Sequence, residues 1–420
     1  MTESMTKTLL AALLRGLFVN CGGSSPVMSG GNGGGLIQIG GTGGATTADP
    51  NVIAVVVDQG PQNIGYTNGL FASVTLCEPG TTTCQTIDHV LVDTGSVGLR
   101  VLESELTLSL PLAQDAAGLA LAECTPFVDG TSWGPIKRAD IQLGGETALD
   151  LPIQVIGEAS YPMATSCTGT PITDFKSLAA NGILGVGVYL RDCGDGCATA
   201  AGSLRNPGLY YTCTSAQPGG CKVAAVPVAQ QVPNPVAAFP VDNNGVIIEL
   251  PGVPASGAPS VPGLLVFGIG TQENNSLGAA TVLPLDSSGF VETAFPAGGT
   301  QYTSYLDSGS NGMFFLNSQT SGLPICAGQT SSFYCPTSTK SLTATVVGAG
   351  DVRANVSFSV ANASKLPAGA FAFSNLAGPM PGFPSDKSVP GFDWGLSFYF
   401  GRKVFTGIET AAGSAPYFAF

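Results

Sequence analysis

Asp93 and Asp307 stand in frames so alike that they define the chemistry open to this chain of 420 residues. Val92-Asp-Thr-Gly-Ser-Val-Gly-Leu-Arg-Val101 and Leu306-Asp-Ser-Gly-Ser-Asn-Gly-Met-Phe-Phe315 share one pattern: apolar, Asp, Thr or Ser, Gly, Ser, any residue, Gly, apolar, any residue, apolar. A single Asp-Thr-Gly-Ser reads as a surface turn. Two copies 214 residues apart (307 − 93) in matching apolar frames read as an internal repeat of domain size. A carboxylate on a tight loop needs a glycine close behind it, here Gly95 and Gly309, because a Cβ would clash where the backbone turns. Thr94 and Ser308 supply small hydroxyls that can bond to backbone and brace one loop against the other. Two carboxylates in contact cannot both ionise cheaply, so they share a proton. Such a pair can hydrolyse an amide: one member takes a proton from a water held between them, and the other polarises the carbonyl. No metal, cofactor or covalent enzyme intermediate is required.

Composition removes most rival chemistries. The chain has one histidine, His89, so a Ser-His-Asp or Cys-His site would have to use it; four residues before Asp93 in a strand-like run, it reads as structural. Zinc sites needing several histidines are excluded. A glycosidase also uses two carboxylates, but would leave the paired Asp-Thr/Ser-Gly loops unexplained. The glycine-rich stretch near the start is followed by no Gly-Lys-Ser/Thr and is not a phosphate loop.

The elements that would carry the two aspartates are strands. Val, Ile, Thr and Phe runs alternate with Gly, Pro, Asn and Ser, and long helical periodicity is scarce, which predicts an all-β chain of many short strands. Each motif follows a strand-like run, Ile87 to Val92 and Tyr302 to Leu306. A second element recurs downstream of each: Asn181-Gly-Ile-Leu-Gly-Val-Gly187 after the first, and Gly395-Leu-Ser-Phe-Tyr-Phe-Gly-Arg-Lys-Val-Phe405 after the second. Two lobes of similar layout are expected, residues 49–228 and 229–420, divided within the Pro- and Val-rich stretch from Val223 to Phe239. The segment from Pro381 to Trp394 reads as a loop, and Tyr210-Tyr211 and Phe392-Asp-Trp394 as core or cleft wall.

These residues resemble the pepsin-like aspartic proteases, in which each lobe carries an Asp-Thr/Ser-Gly loop held by a neighbouring apolar-apolar-Gly strand. The resemblance spans most of residues 51–420, although only the two Asp motifs are specific. It implies a bilobal β fold of two barrel-like lobes around a cleft, with Asp93 and Asp307 as the catalytic pair. It also implies that Ser96 and Ser310 bond the outer carboxylate oxygens. Asn181-Gly-Ile-Leu-Gly185 resembles the first holding strand with Asn in place of Asp. Leu396-Ser-Phe-Tyr-Phe-Gly-Arg402 resembles the second, with Ser397 where the family has Gly. Leu265-Val-Phe-Gly-Ile-Gly270 resembles the opening of the second lobe. Phe127-Val-Asp-Gly-Thr-Ser-Trp-Gly-Pro135 resembles the flap hairpin, which makes Phe127, Asp129, Gly130 and Trp133 flap candidates. Phe127 falls where the family has a tyrosine, and Arg100 replaces a common aromatic. The chain also looks like a family of exported bacterial proteins with no assigned function. Two readings follow: an aspartic endopeptidase acting on extended polypeptide, or a non-catalytic, surface-tethered binding protein of the same fold.

The remaining features concern export. Lys7 precedes an apolar stretch from Leu9 to Val19, too short to span a bilayer, which needs about 20 residues. Residues 1–21 read as an export signal. Cys21, followed by Gly-Gly-Ser-Ser, is a candidate lipidation site, with ordinary signal cleavage as the alternative. Residues 22–48 read as a Gly/Ser/Thr-rich flexible tether. Setting Cys21 aside, the other ten of the 11 cysteines fit five disulfides. Cys77/Cys84 and Cys326/Cys335 could each staple a hairpin or loop. Cys193, Cys197, Cys213 and Cys221 read as disulfides rather than as a zinc site, since paired C-x-x-C knuckles are missing. A net charge of −13 argues against nucleic acid or an anionic membrane surface as partner. The expected protein is a monomer that is periplasmic, outer-membrane-anchored or extracellular, and touches a membrane only through an N-terminal lipid.

Overall fold

The computed structural model describes residues 45–128, 130–214, 219–380, 391–410 and 415–420. The export signal, Cys21, Asp129 and all but the last four residues of the expected tether lie outside them. The chain is mostly β, as the short apolar runs predict, with barrel-like sheets arranged as the two lobes of a pepsin-like fold. One sheet runs through 16 strands and a second through seven.

The same knot of three strands occurs twice. In the first, strand Cys84–Asp93 lies parallel to Gly182–Val186, with Val92 opposite Leu184 and Asp93 opposite Gly185. The chain turns after Asp93 and returns as Val97–Leu102 along the other side of Gly182–Val186, antiparallel to it. In the second, Thr300–Leu306 lies parallel to Phe392–Trp394, with Leu306 opposite Trp394, and Met313–Phe315 returns antiparallel on the far side. Both central strands are buried along their whole length, as strands flanked on both sides and covered on both faces must be.

The second central strand lies inside the segment 381–394 that the sequence reads as loop. Three residues are too few to show a strand period. What fixes the strand is packing: Phe392 stacks on Phe315 (ring centroids 5.0 Å apart, 13° between planes) and on Trp394 (5.5 Å, 28°), and the Trp394 indole N–H donates to Thr293 Oγ1 (2.9 Å).

Strand Val52–Asp58 pairs antiparallel with Val261–Phe267, with Val52 opposite Val266, so the first strand is stitched to one about half the chain away. Five disulfides close among the ten cysteines: Cys77–Cys84, Cys124–Cys167, Cys193–Cys197, Cys213–Cys221 and Cys326–Cys335. Cys77 and Cys84 face each other across a hairpin, as do Cys213 and Cys221.

Candidate active site

The two knots deliver Asp93 and Asp307 to one place. Asp93 ends its strand, and Asp307 follows Leu306 with its N–H donating to Trp394 O (3.2 Å). The loops then lock together reciprocally. The Thr94 N–H donates to Ser308 Oγ (3.1 Å), and the Ser308 N–H donates to Thr94 Oγ1 (2.9 Å). Thr94 Oγ1 donates to Leu306 O (3.2 Å), and Ser308 Oγ donates to Val92 O (2.8 Å). Since Thr94 spends its one hydroxyl proton on Leu306, Tyr399 Oη, 2.9 Å away, is the donor in its contact with Thr94 Oγ1.

Gly95 and Gly309 have a more particular role than a local turn. A Cβ on Gly95 would sit 2.6 Å from Asp307 Cγ, and one on Gly309 would sit 2.6 Å from Asp93 Oδ1. Each glycine leaves room for the other lobe's carboxyl group. The clash foreseen from sequence is therefore between lobes rather than within one turn.

The Gly95 N–H donates to Asp93 Oδ1 and the Gly309 N–H to Asp307 Oδ1, both at 2.8 Å. The two carboxyl groups are close neighbours, since a Cβ on Gly309 would lie 2.6 Å from Asp93 Oδ1 and 3.1 Å from Asp307 Oδ1. Both aspartates are almost sealed from solvent, Asp93 at 1% exposure and Asp307 at 0%. Burial first, then the nearby acidic groups Asp93 and Asp393, push Asp307 well above the usual carboxylate range.

The outer oxygens are not treated alike. Ser310 Oγ donates to Asp307 Oδ2 (2.8 Å), as the resemblance implies. Ser96 departs from expectation: its hydroxyl is buried with no partner, and Asp93 Oδ2 accepts from no donor among the described residues. Ser96 instead contributes its carbonyl, which accepts the Gly187 N–H (2.8 Å).

The register of the second holding strand also differs from the sequence reading. The counterpart of Gly185 is Gly395, where a Cβ would fall 2.0 Å from Gly312 O, and not Ser397. Ser397 Oγ donates to Phe373 O (2.8 Å) and accepts from Asn68 Nδ2 (3.0 Å). The shift exposes a residue that the sequence reading passed over. Aligning Phe392-Asp-Trp-Gly395 with Gly182-Ile-Leu-Gly185 puts Asp393 where the first knot has Ile183, and Asp393 Oδ2 lies 2.6 Å from Ser310 Oγ. A carboxylate at an otherwise apolar position of the repeat was the available signal.

The hairpin expected as the flap consists of Ala120–Phe127 and Gly130–Leu143, with Phe127 opposite Gly130. Trp133 is not at its tip. It sits opposite Cys124, donates from Nε1 to Tyr161 O (2.7 Å) and meets Tyr211 edge-on. Phe127 is buried in a cluster with Phe71, Leu102, Ile156 and Ile183. The outer edge of the hairpin is not free: Tyr210–Cys213 pairs with Ala120–Phe127, and Cys221–Val223 pairs beyond it. Cys124–Cys167 ties the hairpin to the following loop.

Arg100 anchors the base of this sheet. Its Nη2 donates to Glu123 Oε1 (2.7 Å) and Asp192 Oδ2 (3.3 Å), its Nη1 donates to Val97 O (2.7 Å), and its guanidinium carbon is 6.0 Å from the Phe127 ring centroid. Tyr210 Oη donates to Asp192 and accepts the Val232 N–H (2.7 Å). His89 lies between Asp58 (3.4 Å) and Asp88 (3.2 Å), in contact with Phe71 and outside the Asp loops. Among the described residues no group of three or more His, Cys, Asp or Glu side chains is placed to hold a metal ion.

The fold and these paired loops are those of a bilobal, pepsin-like β protein. By sequence, residues 47–420 match the family described as "Protein of unknown function (DUF3443)", and the chain belongs to that family. Among solved structures, it is similar to the aspartic proteinase from Irpex lacteus, with a TM-score of 0.52 and 13% identity over 88% of this chain and 97% of that one. At that identity the likeness concerns the fold. A search of curated proteins returned no match.

Proposed function

We propose that this protein is an aspartic endopeptidase that hydrolyses peptide bonds with a water activated between Asp93 and Asp307. One observation carries the reading: each carboxyl rests on the space left by the other lobe's glycine, so two acids 214 residues apart meet in one buried pair. Such proximity favours proton sharing over glycoside hydrolysis, whose two carboxyl groups stand about 5 Å or more apart.

In this scheme Asp307 begins protonated, held so by burial and by its acidic neighbours. Because the pair shares one proton, Asp93 serves as its ionised member. A water gives its proton to Asp93 as its oxygen bonds to the scissile carbonyl carbon, and Asp307 donates to the carbonyl oxygen. The resulting diol returns one hydroxyl proton to Asp307 while Asp93 protonates the amide nitrogen. The C–N bond then breaks, leaving an amine and a carboxylic acid. Export, suggested by the basic and apolar start and by the disulfides, would place the substrate outside the cytoplasm.

The near-complete burial of both aspartates favours a second reading, a non-catalytic binder of the same fold. The two separate on incubation of the oxidised protein with a denatured protein mixture from about pH 3 to pH 7. Cleavage by wild type that disappears in Asp93→Asn and in Asp307→Asn supports the peptidase. Equal cleavage by all three proteins marks a contaminant and leaves the binder.

A further inference from the structure

Ser310 has one hydroxyl proton and two carboxyl neighbours. Its Oγ lies 2.8 Å from Asp307 Oδ2 and 2.6 Å from Asp393 Oδ2. A hydroxyl donates once and accepts otherwise, so one of these carboxyl groups must donate to it. Asp393 is the group whose surroundings require neutrality. It is 1% exposed in a three-residue strand packed between Tyr305 and Phe314, and its Oδ1 has no partner. An ionised carboxylate would leave that oxygen bare in an apolar wall, whereas the carbonyl oxygen of a neutral acid is tolerated there at lower cost. The titratable groups facing this region are Asp307 and Tyr305 on the parallel strand side, Asp93 across the lobes and Tyr399 on the turn that follows; none is a cation.

We infer that Asp393 is a protonated positioning residue whose carboxyl donates to Ser310 Oγ, which directs the single Ser310 proton onto Asp307 Oδ2. Asp93, Asp307 and Asp393 then hold two protons and one negative charge between them, one proton shared within the pair and one fixed on Asp393. Burial pushes Asp393 well above the ordinary carboxylate range, in keeping with this count. The first knot has Ile183 at this position and an unpartnered Ser96, so the device orients only the Asp307 side. The inference depends on the peptidase reading only for its effect on turnover.

The test compares Asp393→Asn, which keeps a donor but cannot ionise, with Asp393→Ile, which copies the first knot. Without substrate, denaturant unfolding is followed across pH. A carboxyl held protonated only in the folded chain lowers stability as pH rises above its unfolded value near 4, by up to about tenfold in the folding constant per pH unit. Wild type loses stability relative to Asp393→Asn over that rise. With substrate, Asp393→Ile lowers kcat by about 10- to 100-fold, and Asp393→Asn recovers most of that loss and titrates differently on the alkaline side. Parallel stability curves for wild type and Asp393→Asn overturn the inference, as does an Asn variant as slow as the Ile one. If wild type cleaves nothing at any pH, the unfolding curves still decide the proton on Asp393, and only the peptidase reading falls. Should Asp393→Ile fail to fold, the wild-type and Asn curves suffice.

Discussion

Thr94 and Ser308 each present a backbone N–H to the other's hydroxyl, at 2.9 and 3.1 Å, and each hydroxyl passes its own proton to a carbonyl of the opposite lobe. Four hydrogen bonds thus join the lobes directly behind the carboxyl pair. Thr94→Val keeps the shape and removes one donor and one acceptor oxygen, leaving both the buried Ser308 N–H and the buried Tyr399 hydroxyl unpaired. We predict a loss of about 1–3 kcal/mol. Thr94→Ser should lose much less. Denaturant midpoints read the difference, and a combined Thr94→Val/Ser308→Ala variant should be less destabilised than the sum, because the two share one network.

The Arg100 cation compensates two buried acids. Removing it in Arg100→Met leaves Glu123 and Asp192 facing each other without a counter-charge, at an expected cost of about 3–5 kcal/mol near neutral pH. Burial and the nearby Glu123 already raise Asp192 above its ordinary range. A carboxyl with a raised folded value favours the folded state at low pH and loses that benefit as pH rises. The deficit of Arg100→Met should therefore grow from about pH 4 to about pH 7 in paired unfolding curves. A deficit independent of pH would contradict the assignment.

His89 titrates in the same sense but at higher pH. Its hydrogen bond to Asp58 raises it above its ordinary value, against the effect of burial. A raised histidine stabilises fully below its unfolded value near 6.5, and the contribution fades as pH climbs through the folded one. Asparagine tolerates the left-handed backbone at this position (φ 47°). His89→Asn should thus be less stable than wild type at about pH 5 and closer to it at about pH 8, as thermal melts in matched buffers would show.

The hairpin of Ala120–Phe127 and Gly130–Leu143 depends on its covalent tie. Cys124–Cys167 spans 43 residues and Cys193–Cys197 spans four. Chain-entropy reasoning gives about 4 kcal/mol for removing the first bridge as a double serine variant and about 2 kcal/mol for the second. Melting temperatures of the two double variants without reductant should rank in that order. Faster proteolytic nicking near residues 128–130 is expected only for the first.

Much of this arrangement could be read from the sequence, and the omissions have a common cause. Asp93 and Asp307 were visible because each motif is a local string of ten residues that repeats. The pairings Cys77–Cys84 and Cys326–Cys335 were foreseen because their sequence separations are short. Asp393 was missed because its strand is three residues long, follows a Pro- and Gly-rich stretch, and gains its partners from Thr300–Leu306 and Met313–Phe315, about 80 residues earlier in the chain. Ser397 was assigned the place of Gly395 because an apolar strand pattern continues through both positions, and only the contact with Gly312 O separates them. The Arg100, Glu123, Asp192 and Tyr210 cluster was likewise invisible. Its members are dispersed along the first half of the chain, and a buried charge network leaves no periodic trace.

The most direct test of the paired carboxyl groups is a rate comparison among Asp93→Asn, Asp307→Asn and the double variant on one unfolded polypeptide, with each variant shown to be folded. Two acids that work on one water act as a unit. Each single change should lower kcat by about 10⁴-fold or more, and the double variant should be no slower than either one. A single variant that keeps activity within about tenfold of wild type, or losses that multiply in the double variant, would contradict a shared catalytic pair.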